Sequence, residues 1–238
     1  MDYKMIHYTV EKSIATITLD YAPTLNALDM NMSLEVESAL HEAEADQAVK
    51  VVVLAGAGRA FSGGGDIRFM KAHCDEPDFA KESMGPLAGK LSEIVLYMKK
   101  MSKIVICAVA GACAGGAANL AFACDFIYAA DNAKFLQAFV GIGLCPDTGG
   151  VYTLPRMIGT HRAFDMFVTG RIVAAQEAYD IGLVKAVTTK EELLPTVYGL
   201  SQILSFLQRH PTQRFINIPI QIIGPLHPVT IFVSIFFF

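Results

Sequence analysis

Val51 to Met70 reads VVVLAGAGRAFSGGGDIRFM, and Ala108 to Phe122 reads AVAGACAGGAANLAF. Both stretches pass from an apolar run through glycines into a segment that suits a helix. A short, continuous apolar run ending in glycine is the pattern of a strand buried on both faces, as in parallel sheets. Repetition of strand, glycine turn and helix implies crossover connections and an α/β architecture. Glycine lets a ligand approach backbone N–H groups closely, and the start of a helix leaves such groups unpaired. Two readings stay open here: plain turn topology, or two facing loops that hold an oxygen becoming negative during a reaction. Neither stretch is a phosphate loop, because GxxxxGK[ST] is absent. Neither has the acidic ribose contact of a dinucleotide fold at the required distance.

Outward from these stretches the same alternation continues. Met5 to Leu19 alternates apolar and polar residues around a Glu11-Lys12 turn and predicts a β-hairpin. Met30 to Asp46 places Met32, Leu34, Val36, Leu40 and Ala43 near one helical face. A helix around Met84 to Met101, a strand from Ile104 to Gly111, a small-residue helix from Gly115 to Cys124 and a strand DFIYAA follow in turn. Thr188 to Leu207 begins a further helix.

The chain has 238 residues, 53% of them apolar, which is ample for one large core. A net charge of -4 with 19 Lys and Arg argues against a nucleic-acid surface, so an anionic ligand must be held by local groups. The five cysteines (Cys74, Cys107, Cys113, Cys124, Cys145) form no CxxC pair and read as buried thiols of a reducing compartment. The six scattered histidines show no metal-ligand spacing, so neither a metal site nor a cofactor is expected. MDYKMIHYTVEK carries charges where a signal peptide needs an apolar centre, which predicts a cytoplasmic protein.

Five segments taken together resemble the crotonase superfamily, the enoyl-CoA hydratases and isomerases. They are LNAL (25–28), AFSGGGDI (60–67), GACAGGAANLAFACD (111–125), GLCPDTGGVYTLPRMIG (143–159) and TGRIVAAQEAYDIGLVKAV (169–187). The resemblance spans roughly residues 1 to 217. It implies a crotonase-like spiral of ββα and βαβ units, an acyl-CoA or acyl-carrier thioester as substrate, and a homotrimer or hexamer. Carried over by position, the backbone N–H groups of Gly65 and Gly116 would form an oxyanion hole. Such a donor is worth about 3 kcal/mol to an enolate oxygen. Leu25, Ala27, Ala60, Gly65, Asp66, Ile67 and Arg68 fall where the family holds the CoA nucleotide. Arg68 is a phosphate partner on this reading and an ordinary solvated arginine on the other.

The two-glutamate hydratases of this family carry acids at positions occupied here by Asn119 and Phe139. Hydration asks for one group to activate water and another to protonate carbon, so the loss of both acids speaks against it. What remains is Asp147, in PDTGG, where the family's isomerases place a catalytic aspartate. A single carboxylate can take a proton from C2 and return it at C4. Phe139, Val140, Ile142 and Leu144 are expected to form an apolar wall around it, with Asn119 a secondary site residue. The competing reading makes Asp147 the cap of the following helix. A hydratase drawing its second acid from Asp75 to Glu82, and a non-catalytic acyl-CoA-binding protein, are the alternatives for function.

Residues 1–187 are assigned to the spiral core and 188–217 to the start of a C-terminal helical region. Residues 218–238, IPIQIIGPLHPVTIFVSIFFF, contain no Lys, Arg, Asp or Glu and are broken by Pro219, Pro225 and Pro228. An uninterrupted membrane helix needs about 20 apolar residues, so these prolines argue against an anchor. The expectation is an atypical tail replacing the fold's natural ending, which would make the subunit self-associate poorly or aggregate.

Overall fold

The computed structural model describes residues 3–207, so the expectation for the 218–238 tail lies outside the described residues. The hairpin forms as β1 (Ile6–Glu11) and β2 (Ile14–Leu19), paired antiparallel with Glu11 opposite Ile14. Its turn is Lys12-Ser13, one residue later than the sequence suggested. Both residues have positive φ, 49° and 67°, as a two-residue turn between right-twisted strands requires. Helix α1 (Met30–Ala45) begins on Asp29, whose carboxylate accepts from the Met32 N–H at 2.8 Å. Met32, Val36, Leu40 and Ala43 are buried as expected, whereas Leu34 stands exposed and Ser33 and Ala39 complete the face.

The glycine stretches each contain two strands rather than one. β3 (Val51–Gly56) precedes a three-residue β4 (Ala60–Ser62) and α2 (Ile67–His73). After α3 (Gly85–Lys100), β5 (Ile104–Val109) precedes β6 (Ala112–Ala114) and α4 (Gly115–Phe122). β7 (Phe126–Ala130) and β8 (Lys134–Leu136) repeat the form before α5 (Gly150–Ile158) and α6 (Thr160–Thr169). β9 (Val173–Ala174), α7 (Ala175–Asp180), β10 (Ala186–Thr188) and α8 (Lys190–Leu207) close the described chain. The first strand of each unit joins a six-stranded sheet ordered β1-β2-β3-β5-β7-β10. The short strands build a second sheet, β4-β6-β8-β9. This is the spiral of ββα units.

The central strands of the large sheet, β3, β5 and β7, are buried on both faces. Val52 and Leu54 of β3 join the main core with α1, α3 and α4, while Val51 and Val53 pack with Leu193 and Val197 of α8. Full burial of each such side chain contributes about 1.5–3 kcal/mol. Cys107, Cys113 and Cys124 belong to the main core, and burial pushes the Cys107 and Cys113 thiols up, away from thiolate chemistry. Cys74 and Cys145 correct the sequence reading, because both are exposed. Among the described residues no helix is long and apolar enough to cross a membrane.

Candidate active site

The small sheet sets the site. β4, β6 and β8 are parallel neighbours, and the Gly63–Gly65 loop, the start of α4 and the loop carrying Asp147 all follow their carboxyl ends. The carboxyl ends of parallel strands are where α/β proteins bind ligands. The first two loops touch through backbone. Gly64 has φ +91°, and a Cβ there would lie 2.8 Å from the Ala114 carbonyl oxygen, so only glycine fits.

Gly65 and Gly116 line one cavity of about 110 Å³. Among the described residues, neither N–H donates to a protein acceptor. Gly116 is the second residue of α4, where helix geometry leaves the N–H without an intrahelical partner and the helix dipole adds positive charge. The rest of the lining is apolar apart from Asp147, the one ionisable side chain among the described lining residues. Phe139, Ile142 and Leu144 stand beside it as expected. Val140 does not line the cavity; it is exposed, with its methyl against Gly170.

Asp147 is half-buried and does not cap a helix. Helix α5 starts at Gly150 with Gly149 in the cap position and no side-chain cap bond. The carboxylate accepts instead from the Thr148 hydroxyl, at 2.6 Å to Oδ1. Thr148 itself is buried with φ +49°, a conformation that costs a β-branched residue about 1–3 kcal/mol. Such strain persists where surrounding structure over-determines it. Here the Gly150 N–H donates to the Asp147 carbonyl at 2.8 Å and closes the turn.

Asn119, expected to meet substrate or a water, sits behind the site. It is fully buried, absent from the cavity lining, and both ends of its amide are engaged by protein groups. The acidic stretch Asp75 to Glu82 contributes no residue to the lining; Met84, just beyond it, does.

A second cavity continues from the first along Gly63, Gly65 and Ile67, which line both. Leu25, Asp66 and Arg68 border it. Asp66 also caps α2, accepting from the Arg68 and Phe69 N–H groups at 3.0 and 3.2 Å. The exposed Arg68 guanidinium donates to the Pro23 carbonyl. Ala27 and Ala60 line neither cavity. Both are buried, and the Ala60 carbonyl accepts from the Asn26 amide at 3.0 Å.

Sequence reasoning missed Arg59, which borders the second cavity, and the apolar residues Leu28, Met70, Leu87 and Leu91 of the first. Leu87 and Leu91 carried a signal: at i and i+4 they share one face of α3. Arg59, in a loop between two strands, carried none.

This arrangement agrees with what the chain is similar to. The sequence model of the enoyl-CoA hydratase/isomerase family matches residues 9–210. Over 193 residues the chain is 36% identical to the trans-2-decenoyl-[acyl-carrier-protein] isomerase of Streptococcus mutans, covering 81% of this chain and 73% of that protein. It is also 36% identical over 198 residues to the crotonyl-CoA hydratase of Syntrophomonas wolfei, covering 83% and 74%. The crystal structure of an enoyl-CoA hydratase from Bacillus anthracis superposes with a TM-score of 0.79 at 26% identity, over 85% of this chain and 77% of that one. The chain belongs to the enoyl-CoA hydratase/isomerase family, the crotonase superfamily.

Proposed function

We propose that the protein is an enoyl-thioester isomerase that moves a C=C bond between the 3,4 and 2,3 positions. The observation that carries this reading is a cavity lined by Gly65, Gly116 and Asp147 in which no other described lining residue is ionisable. The thioester carbonyl oxygen accepts hydrogen bonds from the Gly65 and Gly116 N–H groups. Asp147 removes a proton from C2, the C2–H electron pair enters the conjugated system, and negative charge collects on the held oxygen. The protonated Asp147 returns the proton at C4 and the double bond comes to rest between C2 and C3. One carboxylate on one face serves both transfers. The shift is neutral in electrons and in atoms, so it calls for no redox or metal cofactor.

The second cavity, bordered by Leu25, Asp66, Ile67, Arg68 and Arg59, takes the phosphorylated end of the carrier. Hydration would need a second group to activate water, for which the described lining offers no side chain. Incubation with 3-enoyl and 2-enoyl thioesters tests the reading. A double-bond shift at constant mass supports isomerisation. A gain of one water would make the protein a hydratase, and binding without either change would make it an acyl-thioester-binding protein. A homotrimer or hexamer belongs to the same reading, and sedimentation of the full chain tests it.

A further inference from the structure

Asp147 stands in an irregular segment, and among the described residues its side chain bonds only to its neighbour Thr148. What fixes it opposite Gly65 and Gly116 must therefore act through its backbone. The Asp147 carbonyl accepts from Asn119 Nδ2 at 2.9 Å, besides the Gly150 N–H. Asn119 lies on α4, three residues after Gly116. Residues at i and i+3 share a helix face, and helical side chains lean toward the N-terminus. One helical turn therefore spaces the N–H donor from the group that pins the acid.

An amide can present either end, and Asn119 is held to one. Gln137, fully buried just after β8, donates from Nε2 to Asn119 Oδ1 at 2.9 Å, which leaves Nδ2 facing the Asp147 carbonyl. Gly150 completes the fit, because a Cβ there would collide with the Asn119 amide.

We propose that Asn119 and Gln137 form a two-amide relay that positions Asp147 against the Gly116 donor, with α4 as the spacer. They are positioning residues, and Gln137 acts without touching Asp147. The inference rests on the isomerase reading for its kinetic consequence and on the hydrogen bonds alone for its structural one.

The test uses the full chain with Asn119→Leu, Gln137→Met and the double variant, each close in size to the original and lacking the donor. Turnover on a 3-enoyl thioester should fall about 100-fold for Asn119→Leu and about tenfold for Gln137→Met, as displacement of a catalytic group by about 1 Å implies. Affinity for a saturated acyl thioester should change less than twofold. The double variant should match Asn119→Leu, because Gln137 acts only through Asn119. Amide hydrogen exchange at Gly150, measured without substrate, should accelerate in all three. Should Asn119→Leu fail to fold, Gln137→Met carries the test by itself. Folded variants with turnover within twofold of wild type and unchanged exchange overturn the relay, as does a double variant whose loss is the product of the two single losses. If the wild type shifts no double bond, the isomerase reading fails, and the exchange measurement alone then decides the relay.

Discussion

Two helices follow the two glycine loops, and in sequence they look alike in kind: a strand, glycines, then a helix. In the structure they differ. Seven of the eight residues of α4 are buried, from Gly115 to Phe122 with Gly116 the exception, whereas α2 buries none of its seven. α4 packs small side chains into the main core, while α2 is capped by Asp66 and lies on the surface with Phe69 against His73, ring centroids 4.3 Å apart. The site is thus built between a fixed side, which supplies the Gly116 N–H and holds Asp147, and a yielding side, which supplies Gly65, Met70 and the arginine. Under the proposed mechanism the buried side meets the developing charge with Gly116 and Asp147, while the surface side adds the second donor, Gly65, and the Met70 wall.

The sharpest way to break this contrast is on the fixed side. Asp147→Asn keeps shape but cannot carry a proton, so kcat for the double-bond shift should fall by about 10³, within the range for a lost general base. Binding of a saturated acyl thioester, measured by calorimetry, should stay within twofold. A variant retaining a tenth of the activity would remove Asp147 from the mechanism.

The next effect falls where the two loops meet. Gly64→Ala must put a side chain at φ +91° against a backbone carbonyl, which cannot move away. A loss of about 2 kcal/mol or more is expected in denaturant unfolding. Gly65→Ala meets only the terminal methyl of Met70, an unbranched side chain that can turn aside. Its cost should stay under about 1 kcal/mol and vanish in a Gly65→Ala, Met70→Ala double variant. Equal costs at the two neighbouring glycines would show α2 to be as fixed as α4.

Met70 sharpens the contrast further. Its methyl packs on Gly65 and lines the cavity, where the proposed mechanism puts the thioester carbonyl. Met70→Ala should raise kcat/KM for 2-methyl-branched thioesters about tenfold relative to straight chains, the scale of a methylene-sized change in an apolar pocket. No change in that ratio would place the wall elsewhere. Smallest of all is Arg68→Ala. An exposed guanidinium contributes little, so the affinity for CoA should weaken about two- to threefold at low salt and less at high salt. A tenfold loss independent of salt would mean that the arginine is enclosed on binding.

Much of this protein was legible in its sequence. Val51 to Gly56 had to be a buried strand because nothing polar interrupts it, and Met30 to Ala45 had to be a helix because its apolar residues recur at helical spacing. Asp147 stood out because an acid among glycines and apolar residues needs a reason. The glycine loops were visible too, but not the three-residue strands β4, β6 and β8 that lead to Gly65, Gly116 and Asp147. Three residues carry too little periodicity to mark a strand, and these exist because they pair with one another across long sequence separations.

What the sequence by itself determined is therefore the class of the fold and the family, since apolar runs and glycine turns act through local physics. The tertiary structure decided the rest. It took Asp147 out of the cap position by starting α5 at Gly150, moved Ala27, Ala60, Val140 and Asn119 off the cavity walls, and brought in Arg59, Met70, Leu87 and Leu91. Which end of the Asn119 amide faces Asp147 depends on Gln137, eighteen residues away. Local sequence cannot encode such a choice, because a hydrogen bond between buried amides exists only once both have been carried into the same few ångströms by the packing around them.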